Sequence, residues 1–402
     1  MNITNIPDVL NLINDESFVS DHFNKKSYTT LTNESYKIIG YNKPVFKVDT
    51  YGLIRSIIIN SNNKVVCFSP SKSLPHDQFI KKYAELNENI IAEEFIEGTM
   101  INVFWTGDKW EFATRNTVGA EVVFYKTAPI QKTFRTMFLE AAKENNLNIE
   151  LLDKSLCYSF ILQHPGNRIV IPFSSPQLYL IAIYEIVYAN DSIDSTTSIF
   201  IHQKKRELNQ HTLIKTPIEY KFTSYEELDQ YANMNTSYKI MGVMIHNSST
   251  GERCKLRNPS YEQVRNLKGN HPNIQYQYLS LRQNGKLASF LHYYPEHSKD
   301  FNYFKDNLHL FTNALYQNYI SCYIKKEKPL LEYPEEYRTN MFNLHQKYLN
   351  ELKLANSYIS KSIVIDYVNN MPVGLQMYLL NYNVSKRYLD FYKINFPTLS
   401  KN

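Results

Sequence analysis

Between Thr99 and Arg115 the chain alternates twice around a tight polar turn. Met100, Asn102 and Phe104 alternate with Ile101, Val103 and Trp105; Thr106–Lys109 carries the turn; Trp110–Arg115 is extended again. β-Branched and aromatic runs around a glycine-containing turn predict a β-hairpin. Ile57–Ile59 and Val65–Phe68, around Asn60–Asn63, predict a second, and Met241–Ile245 with Glu252–Leu256, around Asn247–Gly251, a third. Cys157–Leu162, Ile169–Ile171 and Leu178–Val187 are further expected strands. The last is almost wholly apolar, the pattern of a central strand.

Helical spacing appears at Gln131–Glu144, where Phe134, Met137, Phe138 and Ala141 fall at i, i+3, i+4 and i+7. Ser224 and Glu227 form a capping box ahead of Leu228 and Tyr231. Residues 1–35 predict only a short helix and a polar lead-in, with strands starting at Tyr36, and Asn190–Ser198 reads as a polar loop. Beyond about residue 270 the pattern is helical: Phe301–Tyr319, Gly374–Tyr388, and Met341, Leu344, Tyr348 and Leu352 after Tyr333-Pro334-Glu335-Glu336. The expected divisions are a lead-in at 1–35, an antiparallel α+β domain at 36–270 and an all-α domain at 271–402.

The 402 residues are enough for a full core, and 43% hydrophobic with 21% charged residues is ordinary globular composition. No apolar run approaches a membrane span, and Met1–Asp15 lacks the form of a secretory signal. Cys67, Cys157, Cys254 and Cys322 are scattered without metal-ligand spacing and read as reduced thiols of a cytoplasmic protein. No histidine pattern marks a zinc site. A net charge of +5 permits a nucleic-acid partner without requiring one. The 32 tyrosines, with much Asn, Ile and Lys, follow from an AT-rich genome rather than from a stacking platform.

Several short segments carry candidate chemistry. Glu97, Gly98 and Thr99 open the first hairpin and Thr114 and Arg115 close it, a frame that suits a phosphate-bearing ligand and equally two core strands with polar ends. Arg55 precedes one hairpin and Lys72 follows it in Ser69-Pro70-Ser71-Lys72-Ser73. Arg168 ends the turn Gln163-His164-Pro165-Gly166-Asn167-Arg168, where it either meets a ligand or braces the loop. His164 reads as a hydrogen-bonded turn histidine before it reads as a general base. Lys255 and Arg257, two apart on one strand, share a face that is either solvent or a phosphate site.

Taken in order over residues 36–268, these segments resemble the phage-type RNA ligases, covalent nucleotidyltransferases that repair broken tRNA. Arg55 is similar to the arginine of the family's Cys-Arg-Gly segment, and Pro70 with Lys72 to its conserved-lysine segment. Phe95-Ile96-Glu97-Gly98-Thr99 falls where the family has Lys-x-Asp-Gly-Ser. Phe160 through Pro165-Gly166-Asn167-Arg168-Ile169-Val170 resembles its strand and Pro-x-Asn-Arg-Ile-Val turn. Met241-Gly242-Val243 stands where Glu-Gly-Tyr/Phe-Val is expected, and Lys255-Leu256-Arg257 resembles the closing Lys-x-Lys. The resemblance implies a nucleotidyltransferase domain of the RNA/DNA-ligase type followed by a helical domain.

The departures bear on activity. The family's lysine amine attacks the α-phosphate of ATP, and Phe95 stands in its place without a nucleophile. A sugar-binding glutamate is replaced by Ser159 or Ile161, depending on a one-residue gap, and a metal-holding acid by Met241, a poor ligand for a hard cation. Lys47, in Phe46-Lys47-Val48-Asp49, is a displaced candidate nucleophile that would force the other motifs to slide. Arg55, Lys72, Glu97, Gly98, Arg115, Arg168, Lys255 and Arg257 are the expected nucleotide- or phosphate-binding residues, with no metal site. Three functions follow: a catalytically degenerate binder of RNA ends or a nucleotide; an active ligase using a displaced lysine, with ATP and Mg; or a scaffold that keeps the fold alone. RNA is the expected partner, protein partners are left to the helical domain, and no membrane is expected.

Overall fold

The computed structural model describes residues 1–387 apart from 32, 124–131, 191–196 and 235. The chain divides into two compact units, Met1–Asn266 and Leu267–Asn402. The first is mixed α/β with antiparallel sheets and the second is helical.

The first unit begins with α1 (Val9–Asn14), then β1 (Phe23–Thr29) and β2 (Ser35–Tyr41), the single turn α2 (Val48–Tyr51), β3 (Ser56–Asn60) and β4 (Val65–Phe68). These strands form an antiparallel sheet in the order β1-β2-β3-β4. Its central strand β3 buries Ile57, Ile58 and Ile59, and Ile3, Val9 and Leu12 of the N-terminal segment pack into the same core. Residues 1–35 are therefore not a mere lead-in. β1 escapes the sequence pattern because it is an edge strand with Phe23 alone buried, so no hydrophobic alternation announces it.

The chain continues with β5 (Ser73–Leu74), α3 (His76–Lys82), β6 (Ile90–Glu94), β7 (Thr99–Trp105), β8 (Trp110–Ala113), α4 (Phe134–Glu144), β9 (Leu156–Gln163), β10 (Gln177–Asn190), β11 (Thr197–Lys204), β12 (Glu219–Tyr220), α5 (Tyr225–Met234), β13 (Gly242–Asn247), β14 (Arg253–Arg257) and α6 (Pro259–Lys268). One five-stranded sheet runs β11-β10-β9-β7-β8 and another β12-β6-β13-β14-β5. The three expected hairpins are present as β3–β4, β7–β8 and β13–β14. β10 pairs on both edges, as its apolar run suggests. α4 covers the first of these sheets with Phe134, Met137, Phe138 and Ala141 buried. It starts at Phe134 because the Thr133 hydroxyl accepts from the N–H of Thr136 at 3.2 Å. Gln131, most of the expected loop Asn190–Ser198 and Tyr388 lie outside the described residues.

The expected strand Ile169–Ile171 does not form. The N–H groups of Val170 and Ile171 donate instead to the carboxylate of Glu97 at 3.0 and 2.9 Å. A charged acceptor satisfies two backbone donors without a neighbouring strand.

The second unit contains α7 (Ile274–Gln283), α8 (Leu287–Tyr293), α9 (Ser298–Tyr319), α10 (Glu335–Lys347), α11 (Lys361–Asn369) and α12 (Val373–Leu380). Tyr278, Phe290, Phe301, Leu315, Tyr319, Met341, Leu344 and Val364 are buried in it. Among the described residues no helix is long and apolar enough to cross a membrane.

Gly242 sets the approach of β13 to β14. Its φ is +137° and an added Cβ would stand 2.0 Å from the carbonyl oxygen of Leu256. Gly242→Ala is therefore expected to cost on the order of 3 kcal/mol of stability, read as a lowered denaturation midpoint of the first unit.

Candidate functional site: a basic cavity between two sheets

β14 places its charges by simple alternation. Cys254 and Leu256 face the core under α3 and α5. Arg253, Lys255 and Arg257 therefore share the opposite face. That face borders a cavity of about 330 Å³, a size that suits a small ligand. The β11-β10-β9-β7-β8 sheet supplies another wall, where Met100 pairs with Ile161 and Ile181 sits at the bulge between Leu180 and Ala182. Arg55, Lys72, Arg115, Arg253, Lys255, Arg257 and Arg265 line the cavity, with Glu93, Glu94 and Glu97 as its acids. Phe95, Ile96, Ile161, Ile169, Met241 and Met244 make its apolar side.

The cations are held by groups other than acids of the cavity. Arg253 is buried deepest and donates from Nε to the carbonyl of Ser71 at 2.6 Å. Arg257 and Arg265 share the Glu262 carboxylate, the latter at 3.3 Å, and Arg257 also lies 5.8 Å from the Phe95 ring centroid. The Nε of Arg257 is buried without a hydrogen-bond partner. Tyr41 serves two cations: the Arg115 guanidinium donates to its hydroxyl at 2.9 Å, and the Lys72 amine lies 5.6 Å from its ring centroid. Arg55 donates to the Sδ of Met100 at 3.9 Å, a weak acceptor, and no carboxylate pairs with it among the described residues. Burial, then Arg253 and Arg115, pull its guanidinium down to about 10. Lys255 is pulled down to about 8 by burial first, then by Arg257, Lys72, Arg55 and Arg253.

The acids are committed elsewhere. Glu93 pairs with Arg206 at 2.7 Å, outweighed by a burial that raises its carboxyl. Burial likewise raises Glu94, against the opposing pull of the Ile218 N–H and Lys215. Glu97 is 2% exposed and caps the N–H groups of Val170 and Ile171. The Tyr261 hydroxyl is held far above the usual phenol range by burial and then by the Glu97 carboxylate, to which it is hydrogen-bonded.

Of the residues singled out in the sequence, Arg55, Lys72, Glu97, Gly98, Arg115, Lys255 and Arg257 come together here, with Phe95 and Met241. Glu97 lines the cavity while its carboxylate accepts from the backbone N–H groups of Val170 and Ile171. Gly98 earns its place by space, since a Cβ would meet the Leu162 carbonyl oxygen at 2.5 Å. Arg168 does not line the cavity; its Nε donates to the Val170 carbonyl at 2.9 Å, the bracing alternative. Lys47 is exposed at the N-terminus of α2 and is not part of the wall. Of the two positions left open, Ile161 faces the cavity, whereas Ser159 donates to Asn102 Oδ1 at 2.8 Å inside the core. His164 accepts from the Gly166 N–H through Nδ1 at 2.9 Å, so its Nε2 carries the proton shared with Glu140 at 3.1 Å. Arg253 and Arg265 were not anticipated. The first was legible, being one more step of the two-residue period through Lys255 and Arg257; the second falls into place only when α6 folds back.

No family model matches the chain. In sequence it is similar to the immediate-early protein ICP-46 homolog of Invertebrate iridescent virus 6, 24% identical over 284 residues covering 66% of this chain and 60% of that protein. It is also similar to an RNA ligase of Rhodothermus phage RM378, 28% identical over 99 residues, 23% of this chain and 22% of the ligase. The chain thus spans less than two thirds of either relative. Similar solved structures are an archaeal ATP-dependent RNA ligase (10% identity, TM-score 0.36, 66% of this chain and 64% of that one), a Naegleria gruberi RNA ligase mutant with AMP and Mn (15%, 0.35, 49% and 57%) and a putative ATP-dependent DNA ligase from Aquifex aeolicus (12%, 0.34, 92% and 77%). Their TM-scores are too low to carry an argument about the site.

If Glu97 is a brace, Glu97→Ala strands one buried and one half-buried donor and is expected to cost roughly 2–4 kcal/mol, whereas Glu97→Gln keeps an acceptor and costs less than half of that. Chemical denaturation of the three proteins reads the difference.

Proposed function

We propose that this is an RNA-ligase-type protein that holds the phosphate-bearing end of an RNA, or a nucleotide, in the basic cavity without forming a covalent adduct. The observation that carries the reading is the imbalance of the wall: seven cations face three acids, each acid already engaged or desolvated, and Phe95 occupies the expected nucleophile position. Guanidinium and ammonium groups bind phosphate oxygens without chemistry. The apolar side, with Phe95, Ile161 and Met244, offers a surface for a base. The donor set does not suit a divalent metal. Glu93 is paired, Glu97 is capped and Met241 presents a thioether, which leaves Glu94 alone to offer carboxylate oxygens where a hard cation wants several.

A second reading rests on Lys255. An amine pulled down to about 8 is neutral and nucleophilic in about one copy in ten at pH 7, far more often than an ordinary lysine. It lines the cavity, which Lys47 does not. In this reading the Lys255 amine would attack an α-phosphorus and expel pyrophosphate.

Incubation with α-labelled ATP and magnesium or manganese, followed by a denaturing gel, separates the two. No retained label is expected; label mapped to Lys255 would overturn the binding-only reading. A 5′-phosphorylated RNA is expected to bind with steep salt dependence, and Lys255→Ala/Arg257→Ala to weaken it by roughly tenfold or more. A wild-type protein that takes neither label nor RNA would leave only the scaffold.

Binding should also depend on pH through Lys255. A bound phosphate restores the ammonium, so binding takes up a proton once pH exceeds the depressed value. Affinity is then full below about 8 and declines as pH rises, by about tenfold between pH 7 and 9. The decline should be absent in Lys255→Ala when titrated by calorimetry with a nucleoside monophosphate.

A further inference from the structure

A groove opens beside the cavity and shares part of its wall. Tyr41, Arg55, Lys72 and Arg115 line both. The groove then runs over the N-terminal sheet, where Asn24 pairs with Gly40 and Lys26 with Ile38 across β1 and β2, and all four line its floor. Lys43 and Asn116 are further lining residues, and among the described residues no Asp or Glu lines it. The two sides are tied together, because the Tyr28 hydroxyl of β1 donates to the Asn116 carbonyl beside Arg115.

Three features identify the occupant. Arg55 stands where cavity meets groove, desolvated and without a carboxylate partner, so an anion at the junction would relieve an uncompensated charge. The remaining cations, Lys26 and Lys43, line the groove and not the cavity, so positive charge continues beyond the cavity, which fits a chain of charges and not a single anion. The Asn24 and Asn116 amides and the half-buried Tyr41 ring add hydrogen-bonding and ring surfaces of the kind that sugar and base pack against.

We propose that this groove is a subsite for the phosphodiester backbone of a single-stranded nucleic acid whose terminal nucleotide occupies the cavity. Arg55 takes the terminal phosphate, and Lys26 and Lys43 take phosphates further along the strand. The assignment rests on the cavity reading proposed above and adds to it a direction: the strand leaves across β1 and β2.

The test compares a mononucleotide with a strand. AMP reports the cavity alone, and a 5′-phosphorylated, fluorescein-labelled twelve-nucleotide oligo(U) reports cavity plus groove. Lys26→Glu/Lys43→Glu changes two exposed side chains and should leave the fold intact. The expected result is AMP affinity within twofold of wild type, oligonucleotide affinity lowered at least tenfold, and a log–log salt slope smaller by about 1.4, two phosphate contacts on a single strand. Lys221→Glu/Lys239→Glu, outside the groove, should lower oligonucleotide affinity by less than threefold.

An unchanged oligonucleotide affinity in the groove variant overturns the subsite, as does an equal loss from the control variant. A parallel loss of AMP affinity overturns its separateness from the cavity. Competition by polyglutamate as effective as that by unlabelled oligo(U) makes the groove a general polyanion surface and overturns the nucleic-acid assignment. Wild-type binding of AMP but not of oligo(U) sinks the groove and spares the cavity; binding of neither sinks both.

Discussion

Like charges gathered in a partly desolvated cleft repel, by about 4 kcal/mol for a pair 4 Å apart at an effective dielectric constant near 20. The first unit is built to hold that repulsion. It does so mostly through anchors other than the cavity's own acids, Glu93, Glu94 and Glu97. Arg253 hangs on the Ser71 carbonyl, Arg257 and Arg265 share Glu262, and Arg115 and Lys72 share Tyr41. Each anchor fixes a position while leaving the charge itself unneutralised or half-neutralised. Arg55 and Lys255, desolvated by burial first and then crowded by the other cations, hold their protons less tightly than usual.

The fold was legible wherever a strand had one buried and one open face, or a helix one apolar stripe. β3–β4, β7–β8, β13–β14 and α4 follow directly from period. What escaped lacked contrast. β1 is polar because it lies at an edge, and Ile169–Ile171 looks like a strand because apolar β-branched residues say nothing about which acceptor their N–H groups will find. The site was legible on the same terms. Lys255 and Arg257 were visible as a pair, and Arg253 was one step away on the same face. Arg168 carried a motif-like context, and only the fold shows it turned to the Val170 carbonyl.

All the cavity-lining residues fall within Met1–Asn266. The proposed site therefore draws on no described residue of the helical unit, in which Tyr278, Phe290, Phe301 and Leu315 are buried. By contrast, the N-terminal sheet is drawn into the hypothesis, since Tyr41 and Arg55 belong to it and to the segment that follows it.

Glu97 has a lesson of wider reach. Its carboxylate clasps two peptide groups and a phenol, so it works as a tie-bar for the segment after the Pro165 turn. A side chain occupied by such masonry needs no turnover to account for it. Its presence at a motif-like position reports how the backbone is held, not what the cavity handles.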